Sequence, residues 1–435
     1  MKYYLAIDIG ASSGRHIIGY KDDKGKICLI EVYRFKNEVK NKDGHLIWDV
    51  DELFKEVKNG IRISLSKYPQ IESLSIDTWG VDYVLIDELD NEILPVYAYR
   101  DNRTQKIIDE VHQKISFNDL YKITGCQFQV FNSIYQLYED KKSNRLQKAK
   151  TFLMIPEYLL YKLTGVKVHE YTNASTMGLC SCETLDYSQK ILSKLGISNV
   201  FNDPVYKPGY KLGYLKKDVS DEVGGNILVK LCASHDTASA VEGIFMEDNS
   251  PYISSGTWSL LGVKIPKAIN SEVAKDANYS NEYGPNYIRF QKNIMGMWII
   301  NNLSKELAIE VPEMVTMAKQ SSYHEIFDVN DKAFLSPINM KEAILDYLKQ
   351  KNKPLPKDDN DLINAVYHSL AFSYDQALKD LQNITGNKYD KCYIVGGGAK
   401  NKYLNELVEQ YAKKKIIALP IEATSLGNIK VQMED

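Results

Sequence analysis

The chain has 435 residues, too many for one hydrophobic core and enough for two or three domains. Apolar residues make up 44% and charged residues 26%, ordinary proportions for a globular protein, and a net charge of −3 gives no attraction to nucleic acid or an anionic membrane. No apolar run reaches the length of a bilayer span, and Asp8 interrupts the first one, which argues against a signal peptide.

Residues Tyr4 to Ile9 read as a buried strand carrying one carboxylate, Asp8. The small, hydroxylated stretch Gly10-Ala11-Ser12-Ser13-Gly14-Arg15 follows, and then a return strand from His16 to Tyr20. Such a hairpin can turn backbone N–H groups toward an anion. Ile27 to Phe35 alternates as a third strand, and a helix starts at Asp49 with apolar positions Val50, Leu53, Val57 and Ile61. Ser73 to Asp77 returns to strand, and Val81 to Ile86 reads as its continuation beyond a Trp-Gly break. A three-strand meander followed by helix and strand is the opening of a ribonuclease-H-like ATPase core, which by itself carries no function.

Residues from about 95 to 220 read as an insertion, with a helix over Pro156 to Leu163. The apolar run Ile227 to Leu231 then delivers Ser234-His235-Asp236-Thr237 into a helix of small residues. A second half starts near Glu242-Gly243 and repeats the hairpin plan at Tyr252 to Val263. A long helix follows from about Asp361 to Leu381, and Lys391 to Val395 forms a strand running into Gly396-Gly397-Gly398. A strand, a glycine turn and a helix present backbone to a nucleotide. Six scattered cysteines make no disulfide framework; Cys180 and Cys182 read as buried thiols, and the chain as a reduced cytoplasmic protein.

Two small-residue hairpins point to related halves closing on a nucleotide. Ala11 to Gly14 offer N–H groups and hydroxyls without bulk, and Arg15 adds a charge suited to phosphate oxygens; the plain alternative is a Gly/Ser turn. A carboxylate inside an apolar strand is costly unless paired or metal-bound, so Asp8 is a candidate magnesium residue. Asp236, between strand and helix, suits a general base for a sugar hydroxyl, or else caps its helix. Ser75 to Asp82 joins two carboxylates, Trp79 and Gly80 in one strand break, either an aromatic sugar platform or a tryptophan filling the core. Asn293, before Trp298, is placed to cap a helix. The remaining histidines show no zinc-ligand spacing.

The segments AIDIGASSGR, SIDTWGVDYVLID, AYRDNRT, EYTNAST, ASHDTASAV, YISSGTWSLLG, KNIMGMW, VGGGAKN and EATSLGNI, in this order, resemble the FGGY family of carbohydrate kinases over essentially the whole chain. ASSGR, where most members carry a glycine-threonine loop, together with SHDTASAV and SSGTWSL, narrows the resemblance to members acting on L-rhamnulose. The resemblance implies an α/β protein of two ribonuclease-H-like domains with a cleft between them. Residues 1–242 would bind sugar and carry the phosphate hairpin, and residues 243–435 would bind nucleotide. It implies transfer of the γ-phosphoryl group of ATP to the 1-hydroxyl of L-rhamnulose, with Asp236 as base. Ala11, Ser12, Ser13, Gly14, Arg15, Thr257, Asn301 and Gly398 match the ATP contacts. Gly80, His235, Thr237 and Asn293 match the sugar contacts, and Asp8 the acid expected beside Mg2+.

Two departures stand out. Asn301 occupies a position where these kinases usually place a longer glutamine, and the chain stops at Asp435 inside what should be the next helix. Lys430 stands where a small residue is expected, so the C-terminal domain is expected to lack its last elements. Other readings keep the chemistry with another ketose, such as L-fuculose or L-xylulose, or keep binding without catalysis. No nucleic acid or membrane partner is implied.

Overall fold

The opening meander forms three antiparallel strands, β1 (Tyr3–Ile9), β2 (Ser13–Lys21) and β3 (Ile27–Lys36). The computed structural model describes residues 1–246, 250–419 and 422–434. These fall into two units: Met1–Phe245, Ile265–Phe290 and Glu422–Asp435 in the first, and Met246–Lys264 and Gln291–Ile421 in the second. Strands β4 (Ile71–Thr78), β5 (Lys211–Tyr214) and β6 (Leu228–Lys230) complete the first sheet, in the order β5-β6-β4-β1-β2-β3. β4 runs parallel to β1 and β6 parallel to β4, so the strand order reverses beside β1, where α/β sheets place their sites.

Helix α1 (Val50–Lys67) starts where Asp49 accepts a hydrogen bond from the Glu52 N–H at 3.0 Å. Its stripe Val50, Leu53, Val57 and Ile61 joins Leu5, Ile7 and Ile18 in one buried cluster. Gly60 lies mid-helix, where it costs about 1 kcal/mol relative to alanine. The His16 ring explains it, since a Cβ at Gly60 would stand 2.2 Å from His16 Cε1. Val81 to Ile86 does not continue β4. Val81 turns the chain through φ 67°, and Tyr83–Ile86 pairs with Thr151–Met154 in a separate two-stranded sheet. Helix α2 (Asp236–Glu242) follows the loop after β6.

The second sheet repeats the hairpin. Strands β7 (Tyr252–Ser255) and β8 (Trp258–Ile265) are antiparallel, as β1 and β2 are. With β9 (Ser280–Tyr283), β10 (Ile288–Met295), β11 (Lys391–Val395) and β12 (Lys415–Ala418), the order is β9-β10-β8-β7-β11-β12. β11 runs parallel to β7, the counterpart of β4 beside β1. Helix α3 (Asp359–Thr385) buries Leu362, Val366, Leu370, Tyr374, Leu378 and Leu381, the stripe its spacing predicts. Helix α4 (Lys402–Ala412) follows the triple glycine.

The stretch expected to leave the second domain short folds as α5 (Ala423–Met433) and belongs to the first unit. Ser425 donates to Asp8, Asn428 to Asp77 and Gln432 to the Leu5 carbonyl, at 3.2, 2.5 and 3.0 Å. Glycine lets α5 touch α2 backbone to backbone: a Cβ at Gly427 would stand 1.8 Å from the Ser239 carbonyl oxygen. Lys430 Nζ lies 3.4 Å from the carbonyl and carboxylate of Glu242. No described helix is long and apolar enough to cross a membrane, and all six cysteines are free thiols.

Candidate active site

Three carboxylates gather at the ends of β1, β4 and the loop after β6. Asp8 and Asp77 are partners in the parallel β1–β4 register, and Asp8 also faces Arg15 across the β1–β2 hairpin. Arg15 donates to Asp8 at 2.6 Å and to Glu422 at 2.5 Å. Burial pushes the Asp8 carboxyl upward while the guanidinium draws it back. Asp77 is raised further, by burial first and then by the Asp8 charge, because its own partner is only the Asn428 amide. The charge of Asp236 raises both, so the three share one electrostatic neighbourhood.

The loop between β1 and β2 is tied by its own backbone, Gly10 N–H to Ser13 O at 2.9 Å. Asn37 holds it from outside, its amide donating to the Gly10 carbonyl at 2.8 Å. Ala11 and Ser13 are half-buried and Ser12 is exposed, so a hydroxyl and backbone remain open to a ligand. Gly14 answers to packing: a Cβ there would stand 2.1 Å from Phe35 Cζ.

Asp236 does not cap its helix. His235 is the N-cap residue, with no side-chain capping bond, and Asp236 is the first helical residue. Its Oδ1 accepts the Thr237 hydroxyl at 3.1 Å and lies 3.5 Å from His235 Nε2, and its side chain remains 34% exposed. His235 Nδ1 faces away, 3.2 Å from Glu282 and 3.4 Å from Nη2 of the buried Arg289. A carboxylate that is oriented and still open is what proton abstraction requires.

Trp79 belongs to the core. It is 6% exposed, packs against Trp48 with ring centroids 4.3 Å apart and donates to Asp82 at 2.9 Å, so it offers no sugar platform. Asp82 also accepts from Trp48, the Tyr99 N–H and Gln136, and burial raises its carboxyl to about 6. Gly80 lies against Thr176, whose Oγ1 would be 2.9 Å from any Cβ there.

In the second unit, Thr257 is exposed at the β7–β8 tip and Gly398 is buried behind it, where a Cβ would meet Ser255 Oγ at 2.0 Å. Asn293 lies within β10 and not at a helix cap; Met297 caps the following helix, Trp298–Leu307, which carries Asn301. A cavity of about 500 Å³ in this unit, lined by Lys292, Phe327, Lys353 and Phe372 among others, takes in none of the expected site residues.

The donor set at β1 and β4 fits a divalent cation. Carboxylate oxygens are the ligands Mg2+ prefers, and Asp77 Oδ1 is buried without a hydrogen-bond partner. Among the described residues no group of three or more acidic, histidine or cysteine side chains is arranged to hold a metal.

Partners absent from the predicted set, Asn37, Glu170, Glu282, Arg289 and Asn428, reach the site across long sequence separations and follow no local period. Glu170 does open the EYTNAST segment, which its motif singled out.

Residues 3–243 match the N-terminal domain, and residues 251–434 the C-terminal domain, of the FGGY family of carbohydrate kinases. The chain is 43% identical to a rhamnulokinase of Oceanobacillus iheyensis, over 99% of this chain and 92% of that protein. It is 39% identical to a rhamnulokinase of Bacillus subtilis, over 99% and 90%. In fold it is similar to a ligand-bound xylulose kinase from Lactobacillus acidophilus, with a TM-score of 0.81, 16% identity, and 99% and 89% coverage. A Plasmodium falciparum glycerol kinase with ADP gives 0.78 at 17% identity, over 99% and 89%.

Proposed function

This chain belongs to the FGGY family of carbohydrate kinases, and we propose that it transfers the γ-phosphoryl group of ATP to the 1-hydroxyl of L-rhamnulose, with Asp236 as general base. The observation that carries the reading is Asp236 itself: held by Thr237, open to solvent, and within the electrostatic reach of Asp8 and Asp77. Asp236 takes the proton of the sugar hydroxyl as that oxygen bonds to the γ-phosphorus. The bond from phosphorus to the β–γ bridging oxygen breaks, and ADP leaves with its electron pair. The products are L-rhamnulose 1-phosphate, ADP and a protonated Asp236, which returns its proton to water.

Ala11, Ser12, Ser13 and Gly14 supply donors to the phosphates, and Arg15 fixes Asp8 while adding positive charge. Bound Mg2+ would neutralise charge on the phosphate oxygens, and Asp8 with Asp77 would hold it. Gly80, His235, Thr237 and Asn293 are assigned to the sugar, and Thr257, Asn301 and Gly398 to the nucleotide. On this reading residues 1–242 carry the phosphate hairpin and the sugar contacts Gly80, His235 and Thr237, and residues 243–435 carry Asn293 and the nucleotide contacts. Six free thiols fit a reducing compartment, and the reaction is assigned to the cytoplasm.

One assay tests both substrate and base. ADP release is followed with L-rhamnulose, L-fuculose and L-xylulose, for the wild type and Asp236→Asn. L-rhamnulose is expected to give the highest kcat/KM, and the variant to lose about 10²–10⁴-fold in kcat while remaining folded. Preference for another ketose overturns the sugar assignment; wild-type turnover by the variant overturns the base.

A further inference from the structure

Glu170 is fully buried, and five hydrogen bonds end on its carboxylate. Two come from the backbone N–H groups of Thr172 and Asn173, at 2.8 and 3.0 Å, and account for its role as cap of the short helix Tyr171–Ala174. A third is the Thr172 hydroxyl at 2.6 Å. The other two lie outside any capping role: the N–H and the hydroxyl of Ser234, at 3.1 and 2.7 Å, from a residue 64 positions away.

Ser234 stands two residues before Asp236, and its surroundings leave it no freedom. Its carbonyl accepts the Thr78 N–H at the end of β4, at 2.9 Å. The next N–H, of His235, is directed to the Thr172 hydroxyl at 3.4 Å, and Thr172 is itself held by Glu170. Glu170 is anchored in turn, its own N–H donating to the buried Glu157 at 2.7 Å. The loop that delivers Asp236 is therefore clamped between β4 on one side and a buried carboxylate on the other.

Burying an ionised carboxylate is expensive, and a cap on the four-residue helix at 171–174 could be made by serine or aspartate at the surface. Charge-assisted bonds are shorter and stiffer than neutral ones, and both oxygens of Glu170 are used. We propose that Glu170 is a positioning residue for phosphoryl transfer, holding the Ser234–His235 backbone so that Asp236 meets the attacking hydroxyl. The inference rests on the reading of Asp236 as the base.

The test separates kcat from KM in Glu170→Gln, Ser234→Ala and the double variant, with Asp236→Asn as reference, and records thermal unfolding for each. Glutamine keeps the shape but turns an N–H2 toward donors. The expected result is a fall in kcat of about 10–100-fold for Glu170→Gln, with KM for ATP and ketose within about twofold. Ser234→Ala loses one of the two bonds and should fall several-fold in kcat alone. The double variant should be no slower than Glu170→Gln, because the two residues act as one unit. Unchanged kcat in a destabilised Glu170→Gln, or a loss confined to KM, overturns the proposal. If Glu170→Gln does not fold, the kcat of Ser234→Ala decides the matter in the same way. An active Asp236→Asn would instead remove the base, whatever Glu170 does.

Discussion

At Gly14 the residue type and its cause come from different places. The sequence placed it in a phosphate loop, and the structure adds that the ring of Phe35 leaves no room for a β-carbon, at 2.1 Å. Gly14→Ala is expected to cost about 1–3 kcal/mol, read as a lower unfolding midpoint, and Phe35→Leu should restore part of it. An alanine variant as stable as the wild type would show that the ring moves aside freely. Asp236 stood out as a candidate because a lone acid between an apolar run and a helix invites a role, and the structure puts His235, not Asp236, at the cap position. For Trp79 the sequence left a sugar platform and a core filler both open, and the structure decides for the core: an indole packed on another indole and bonded to a buried acid has the same letter in the sequence as one facing a ligand. Glu170 stood out only as the first letter of a motif and Arg289 not at all, since Ser234 and His235, which they reach, lie 64 and 54 residues distant.

Among the elements, α1 and β2 are joined by a buried imidazole as well as by the apolar cluster. His16 is fully buried, its Nε2 lies 3.1 Å from the Val57 carbonyl, and burial lowers it from 6.5 to about 4. The unfolded chain thus binds the proton more tightly than the native one. The contribution of neutral His16 is complete above pH 6.5 and is lost as pH falls toward 4, up to about 3 kcal/mol. Urea unfolding between pH 4 and 7 should show this slope in the wild type and a shallower one in His16→Phe. Identical slopes would exclude His16 as the source. The helix stripe, the meander and the long α3 were all readable from periodicity, because each buries one face over several turns or alternations. The break at Val81 misled, since an apolar run after Trp-Gly looks the same whether the strand resumes or the chain turns into another sheet.

For the molecule as a whole, the repeated hairpin announced two similar cores, and the two sheets share that plan. How the chain distributes its segments was not legible, because nothing local marks that 265–290 and 422–435 pack with residues from the first half. The return of α5 makes a specific demand at Gly427, where a methyl group would strike the Ser239 carbonyl on the helix that carries Asp236. Gly427→Ala should therefore lower the unfolding midpoint and kcat together, measured by calorimetry and ADP release. A loss of stability with full turnover would show that α2 keeps its place without α5.

That same helix has a bearing on how the protein is made. Ser425 and Asp8 are 417 positions apart, and a ribosome adding roughly 5–20 residues per second takes roughly 20–80 s to travel between them. Through that interval β1 and β4 wait on the nascent chain without the side chains that cover Asp8 and Asp77. The unit begun first is finished last, after residues 291–421 have already emerged, so synthesis cannot hand over one completed domain before starting the next.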